Sequence, residues 1–455
     1  MRNILVLVIV AVNAWAGVRA GAATTDITPP VGAAMAGYFY NRSATGVHDP
    51  LLARALVLES GGLRIALVSC DLTSMPEGIV NAVRGEVARQ TGIAPSHVMV
   101  SATHAHTAPV VLSGWTRYKL EGEMRKIAEE YTARLPLLIA SSVVEAVGKL
   151  RPARVLSTTG REETLAHNRR YHMRDGSVSW NPGKLNPNVV RTAGPIDPAL
   201  PLVYVEGEDG QAIAAYVNYA MHLDTVGGTE FSADLVYALG EALRLARGKQ
   251  LVTLFTMGCA GNVNHIDTGS RVAQSGQGEA ARIGTVLAGV VLQSISRLEL
   301  VEDLRLSART ERVTLAAVVA TEAELAAAKL LLSRYGKTSA GTTTEMARAS
   351  RVLEVAERNG HPFEVEVQVL RLGRDLAWVG LPGEIFVEHG LELKLKSQAR
   401  WTIVVTQANG ALGYVPDRKA YAQGAYEVLS ARVVEGSGEK LVEKALEMIV
   451  EGKKQ

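Results

Sequence analysis

The chain has 455 residues, 47% hydrophobic and 21% charged, which is enough apolar material for one large or two ordinary domains. The 48 basic and 46 acidic residues leave a net charge of +2, and no basic run stands out, so nothing points to nucleic acid. Two cysteines, Cys70 and Cys259, exclude a disulfide scaffold and a cysteine-based zinc site; each borders an apolar run where a free buried thiol is the expected state.

In chain order, residues 1–20 read as a secretory signal. Arg2 supplies the positive start, residues 4–12 are almost wholly apolar, and Val18-Arg19-Ala20 places small residues at the cleavage position. This predicts an exported chain beginning near Gly21, in the periplasm or the medium, with residues 21–455 as a single domain. The apolar run is shorter than the ~20 residues a bilayer requires, and no later segment is long and apolar enough to span one.

Three strand–helix–strand units follow. The first predicts a strand at 63–70, a helix over 76–90 with Ile79, Val83 and Val87 on one face, and a strand at 97–101. The second runs through a strand at 212–220, a helix over 233–246 and a strand at 251–256. The third has strands at 376–381 and 402–406 around a helix over 385–395. This alternation predicts an α/β fold with a mostly parallel or mixed sheet flanked by helices. Residues 316–359, rich in Ala, Leu and Glu, predict an inserted helical hairpin on the surface, bordering the cleft, with a structural role favoured. Gly336-Lys-Thr338 lacks the first glycine of a phosphate loop, since Leu331 stands there, and no G-x-S-x-G elbow occurs.

In parallel sheets ligands bind beyond the carboxyl ends of the strands, and the candidate residues fall there. After the first unit come Asp71 and Ser101-Ala-Thr-His-Ala-His-Thr-Ala-Pro109. On an extended backbone His104 and His106, at i and i+2, would point to one side. One would bind a metal, with the other as second ligand, proton carrier or substrate contact. After the second unit come His222 and Gly258-Cys-Ala-Gly-Asn-Val-Asn264, and after the third Glu384 and Asn409-Gly-Ala-Leu-Gly-Tyr414. Taken singly, His222 reads as a core histidine, Glu384 as a helix N-terminal carboxylate and Tyr414 as a packed aromatic. Together, two imidazoles, a carboxylate and an oxygen donor fit a catalytic zinc site, with Asp71 as an acceptor that orients a histidine.

These residues carry a resemblance to the neutral/alkaline, non-lysosomal ceramidase family. It begins at Ala22-Ala-Thr-Thr-Asp-Ile-Thr-Pro29 and Met35-Ala-Gly-Tyr38, and continues through His48-Asp-Pro-Leu-Leu-Ala-Arg-Ala-Leu56 and the T-H-A-H block. Asn168-Arg169, His222, Pro382-Gly-Glu384, Gly413-Tyr414-Val415 and Tyr421-Ala-Gln-Gly-Ala-Tyr-Glu427 follow in the family's order. The resemblance implies His104, His222, Glu384 and Tyr414 as zinc ligands, with His106 and Arg169 acting on or holding the substrate. It also implies hydrolysis of the amide of an N-acylsphingosine, a lipid-like substrate.

Two departures weigh against ceramide itself. Asn264 stands where the family's G-D-V-S-P-N turn has a serine; its amide could donate to an oxyanion but cannot attack. Family members also continue into a C-terminal β-sandwich, whereas this chain stops at Gln455. The expectation is therefore an exported zinc hydrolase of an N-acyl bond, using metal-activated water, His106 as proton relay, and Asn264 with Arg169 steadying charge. The alternatives are a related hydrolase of a small N-acyl or sugar compound, and a non-catalytic metal-dependent binding protein.

Overall fold

The computed structural model describes residues 17–112, 118–333 and 342–451. The main sheet takes, in chain order, β1 (Val18–Asp26), β2 (Leu52–Ser60), β3 (Leu63–Cys70), β4 (Val98–Ala102), β5 (Arg151–Arg161), β6 (Ala199–Gly207), β7 (Ala212–Tyr219) and β8 (Val252–Met257). Their spatial order is β8-β7-β6-β5-β1-β2-β3-β4. Only the outermost pairs, β7–β8 and β3–β4, are parallel; every join between them is antiparallel. The sheet is thus mixed. The two parallel edges approach one another, since Ser69 Oγ on β3 donates to the Phe255 carbonyl on β8.

A second sheet contains β9 (Leu306–Leu315), β10 (Phe363–Leu372), β11 (Leu376–Gly380) and β12 (Trp401–Val405) in that order, with β11–β12 parallel. All three expected units are present. Their helices are α1 (Glu77–Thr91), α3 (Leu235–Arg247) and α7 (Val387–Lys396), with α2 (Gly122–Gly148) and α4 (Gln277–Ser294) beside them.

Packing explains the apolar runs. One core joins α1–α4 to one face of the main sheet through Val57, Val68, Val83, Ile139, Leu239 and Leu287. Leu58, Leu67, Met99 and Leu254 on the other face meet Leu370, Trp378 and Ile403 of the second sheet. The far side of that sheet is covered by α7 and by α8 (Ser437–Glu451), through Leu393, Leu441 and Met448. A sheet covered on both faces has no polar side to alternate with, so successive residues such as Leu56, Val57 and Leu58 are all buried.

Residues 316–359 do form a helical hairpin, α5 (Glu322–Leu332) and α6 (Thr343–Glu357). Each helix starts on a capping box, Thr321 with Glu324 and Thr342 with Glu345. The string Gly336-Lys-Thr338 lies outside the described residues.

At the N-terminus the boundary read from sequence meets the sheet. Val18 and Ala20 are buried in β1, where Arg19 and Ala20 pair with Glu59 and Leu58 and all three pair with 151–153. A chain starting at Gly21 would lose these five pairings. Residues 1–16 lie outside the described residues. Among the described residues no helix is long and apolar enough to cross a membrane, and both cysteines are buried and free.

Candidate metal centre

The three parallel pairs deliver their carboxyl ends to one place. Past β4 the chain is bound to the third unit, with Ala102 N donating to the Gln407 carbonyl (3.1 Å) and Asn409 N to that of Val100 (2.9 Å). Thr406 Oγ1 donates to the Gly258 carbonyl (2.8 Å), which ties in the second unit. A two-residue parallel ladder sets Glu384 opposite Tyr414. It follows the turn at Gly383 (φ +113), where a Cβ would lie 2.5 Å from the Gly413 carbonyl.

His104 is not on an extended backbone. Its φ is +72, and β4 has ended two residues earlier. The i, i+2 argument therefore fails as stated, because a left-handed residue breaks the strand's alternation. The two rings still meet edge to face, with centroids 4.8 Å apart. A positive φ on a bulky residue is strained and persists where its surroundings hold it. Here the His104 N–H donates to the Leu72 carbonyl (2.9 Å), and Nδ1 lies 2.6 Å from the Thr73 carbonyl.

The donor set is compact. His104 Nε2 is 3.1 Å from His222 Nε2 and 3.2 Å from His106 Nε2. Glu384 Oε2 lies 3.4 Å from His104 Nε2 and 3.2 Å from His222 Nε2. His222 Nδ1 is 2.8 Å from the Ala260 carbonyl. With Nδ1–H donated to a carbonyl on both His104 and His222, each Nε2 presents a lone pair. Lone pairs and a carboxylate so arranged repel unless a cation or protons lie between them. Ligands about 2.0–2.1 Å from a tetrahedral ion stand about 3.3 Å from each other, close to the spacings seen. Glu384 Oε2 is buried without a hydrogen-bond partner. The residues fit a metal ion, and His104, His106 and His222 form a group able to hold one.

His106 differs from its neighbours. Among the described residues its Nδ1 makes no hydrogen bond, so nothing fixes its tautomer. Burial lowers its pKa well below the ordinary histidine value; His104 adds to this and Asp224 opposes it. Burial, then Arg169, lowers that of His222. Burial pushes the Glu384 carboxyl up, but His104 and His222 outweigh it and hold it well below the usual range.

Tyr414 stacks on His222, with ring centroids 6.4 Å apart and planes at 11°. Its hydroxyl accepts from Arg169 Nη2 (3.0 Å). Arg169 itself is buried, with Nε donating to Glu427 (3.0 Å) and Nη2 also to the Gly261 carbonyl (2.8 Å). Its hydrogen bonds thus go to Tyr414, Glu427 and Gly261. Asn264 is fully buried; its Oδ1 accepts from Ile266 N (3.1 Å) and its Nδ2 is 3.4 Å from Asn181 Oδ1. The first contact braces its own turn and the second reaches Asn181, 83 positions away in the chain.

Asp71 requires a correction. Both its oxygens accept from Arg54 Nη1 (2.8 and 2.7 Å) and one from Leu52 N (2.9 Å), so it orients no histidine. Backbone carbonyls take that part. Two neighbours were not anticipated: Asp224, two residues past His222, and His265, paired at 3.1 Å. Their signals in the sequence were adjacency alone, to His222 and to Asn264.

The chain is similar to known proteins in sequence over part of its length and in fold over nearly all of it. Residues 18–223 match the family model described as neutral/alkaline non-lysosomal ceramidase, N-terminal. The match takes in His104, His106, Arg169 and His222. The fold is similar to that of the neutral ceramidase from Pseudomonas aeruginosa, with a TM-score of 0.74 and 20% identity over 95% of this chain and 74% of that one. It is equally similar to a ceramidase complexed with C2, with a TM-score of 0.74 and 18% identity over 96% of this chain and 75% of the other. No curated protein matches the chain in sequence. The resemblance read from the sequence is thus present in its N-terminal half, and the ceramidase fold across nearly the whole chain.

Proposed function

We propose that this ceramidase-like chain is an exported, zinc-dependent hydrolase that cleaves the amide of a small or lipid-like N-acyl compound. The observation that carries the reading is the convergence of His104 Nε2, His222 Nε2 and Glu384 Oε2 at mutual distances of 3.1–3.4 Å, with both Nδ1 atoms committed to carbonyls. Two imidazoles and a carboxylate suit zinc, and Tyr414 beside Glu384 supplies the remaining protein donor of the proposed set. When bound there, the ion would act as a Lewis acid and make a strong nucleophile available at neutral pH.

The chain's own residues do the rest. Water adds to the acyl carbon, the C–N bond breaks, and His106 takes the water's proton and returns it to the departing nitrogen. Its ring makes no backbone hydrogen bond among the described residues, and its lowered pKa keeps it neutral, with a lone pair open to that proton. Arg169 holds the Tyr414 phenol in place, and Asp224, anchored by His265, lies beside His106 with a negative charge that favours its protonated form.

Export rests on the N-terminus. Ala14-Trp-Ala16 provides small residues at a cleavage position, and removal after Ala16 keeps Val18–Ala20 in β1. A panel of N-acyl amino acids, N-acyl sugars and ceramide, assayed with zinc and with chelator, tests the activity. Chelator-sensitive release of a free acid supports the reading, and no hydrolysis of any member by zinc-loaded protein defeats it.

A further inference from the structure

Helix α6 of the inserted hairpin walls the metal centre. A cavity of about 70 Å³ is lined by His104, His106, Glu384 and Tyr414 on one side and by Ser350 and Arg351 of α6 on the other. Arg351 is 8% exposed, its Nε is buried without a hydrogen-bond partner, and no ion pair forms to it among the described residues.

The nearby carboxylates have closer partners, and Glu324 acts on Arg351 only through its field. Glu354 pairs with Arg432 (2.6 Å), Glu324 with Arg348 (3.0 Å), and Glu427 with Arg169 and Arg170 (3.0 and 2.9 Å). Glu384 faces the two imidazoles. Segments 113–117 and 334–341 contain no acidic residue. A buried guanidinium is costly without an anion, and its planar fork matches a carboxylate. Ser350 Oγ, one residue away and also buried without a partner, adds a hydroxyl donor. An adjoining cavity of about 520 Å³ shares Thr73, Glu354 and Arg432 with the first, and Val110, Val111, Phe363 and Leu412 line it together with Glu77, Glu364, Glu366 and Arg358.

We propose that Arg351 recognises a carboxylate on the substrate, so that the compound hydrolysed is an N-acyl amino acid. This deepens the amide-hydrolase reading and rests on it. The pairing would be two parallel N–H···O bonds from the guanidinium to the carboxylate, the geometry Arg favours. A neutral N-acyl amino alcohol would leave the cation unpaired.

The test compares kcat/KM for N-hexanoylglycine and for uncharged N-hexanoylethanolamine, in the zinc-loaded parent and in Arg351→Met and Arg351→Lys. The parent should prefer the acid by about tenfold or more, as a charged hydrogen-bonded pair implies. Arg351→Met should bring the ratio near one, and Arg351→Lys should restore part of it. A parent ratio of one or below, which needs no variant to fold, overturns the proposal, as does an unchanged ratio in Arg351→Met. If neither compound is hydrolysed, the wider panel decides the amide-hydrolase reading, and calorimetric binding still decides the carboxylate site. Binding of N-hexanoylglycine about tenfold tighter to the parent than to Arg351→Met supports it, and equal affinity overturns it.

Discussion

Replacing Glu384 by glutamine keeps the shape of the side chain and removes its charge. In the metal-free protein the parent carboxylate faces two imidazole lone pairs at 3.4 and 3.2 Å. A glutamine amide can donate to either nitrogen at that distance, a net gain of about 0.5–1.5 kcal/mol. The metal-loaded comparison runs the other way. A ligand at a thousandfold excess over its dissociation constant stabilises the folded state by about 4 kcal/mol. Unfolding entropy of about 2.1 cal/mol/K per residue makes ~1 kcal/mol worth ~1 °C for a chain this long. Zinc should then raise the parent's melting temperature by about 4 °C. In Glu384→Gln most of that rise should vanish, while the metal-free variant melts at or slightly above the metal-free parent. Differential scanning calorimetry with and without zinc reads both. A metal-free variant several degrees below the parent, still raised by zinc to the same extent, would refute the crowded-donor argument.

The Asp224–His265 pair predicts a pH signature. Burial lowers the His265 pKa, but Asp224 outweighs it and leaves it raised; burial raises that of Asp224, and His265 holds it low. The histidine's contribution is full below about 6.5 and fades as pH rises through its folded value, and the aspartate's is lost on acidification, starting below about 3.9. The stability gap between parent and His265→Asn should therefore be widest at mildly acidic pH and close in alkaline solution; a pH-independent gap contradicts this. Gly37 (φ +97) passes so close to His106 that a Cβ would lie 2.7 Å from the His106 carbonyl oxygen. Gly37→Ala should cost about 1–3 kcal/mol and lower turnover at unchanged metal content, since it displaces His106 and not His104 or His222; unchanged turnover contradicts the role of His106. The exported protein should begin at Gly17 by intact mass, and a start at Gly21 would contradict the pairing of β1.

The strand–helix–strand units were legible because each amphipathic helix stands between short apolar strands, a pattern set by local periodicity. The antiparallel middle of the sheet, β1, β2, β5 and β6, was not. β2 and β6 are buried almost throughout, β1 and β5 are partly exposed, and the pairings of β1 with β2 and β5 and of β5 with β6 join distant parts of the chain, so spacing does not reveal those partners. The metal-site candidates were legible from their positions after strand ends, where topology brings loops together. How they are held was less so. The turn at His104 depends on bonds to Leu72 and Thr73, and Asp71, the expected orienting acid, is captured by Arg54, which sits opposite on β2. That the hairpin at 316–359 borders the cleft was legible, but α6 is capped and helical by itself, and only its packing shows that Ser350 and Arg351 face the site.

Elemental analysis of bound metal in the purified parent and in His104→Ala, His222→Ala and His106→Ala tests the account at its centre. The parent should carry zinc near one equivalent, lost in the first two variants and kept in the third, whose ring is free of backbone anchors. A parent that takes up no metal when zinc is offered would contradict the account. So would a parent that loses its zinc with His106 while keeping it without His104 or His222.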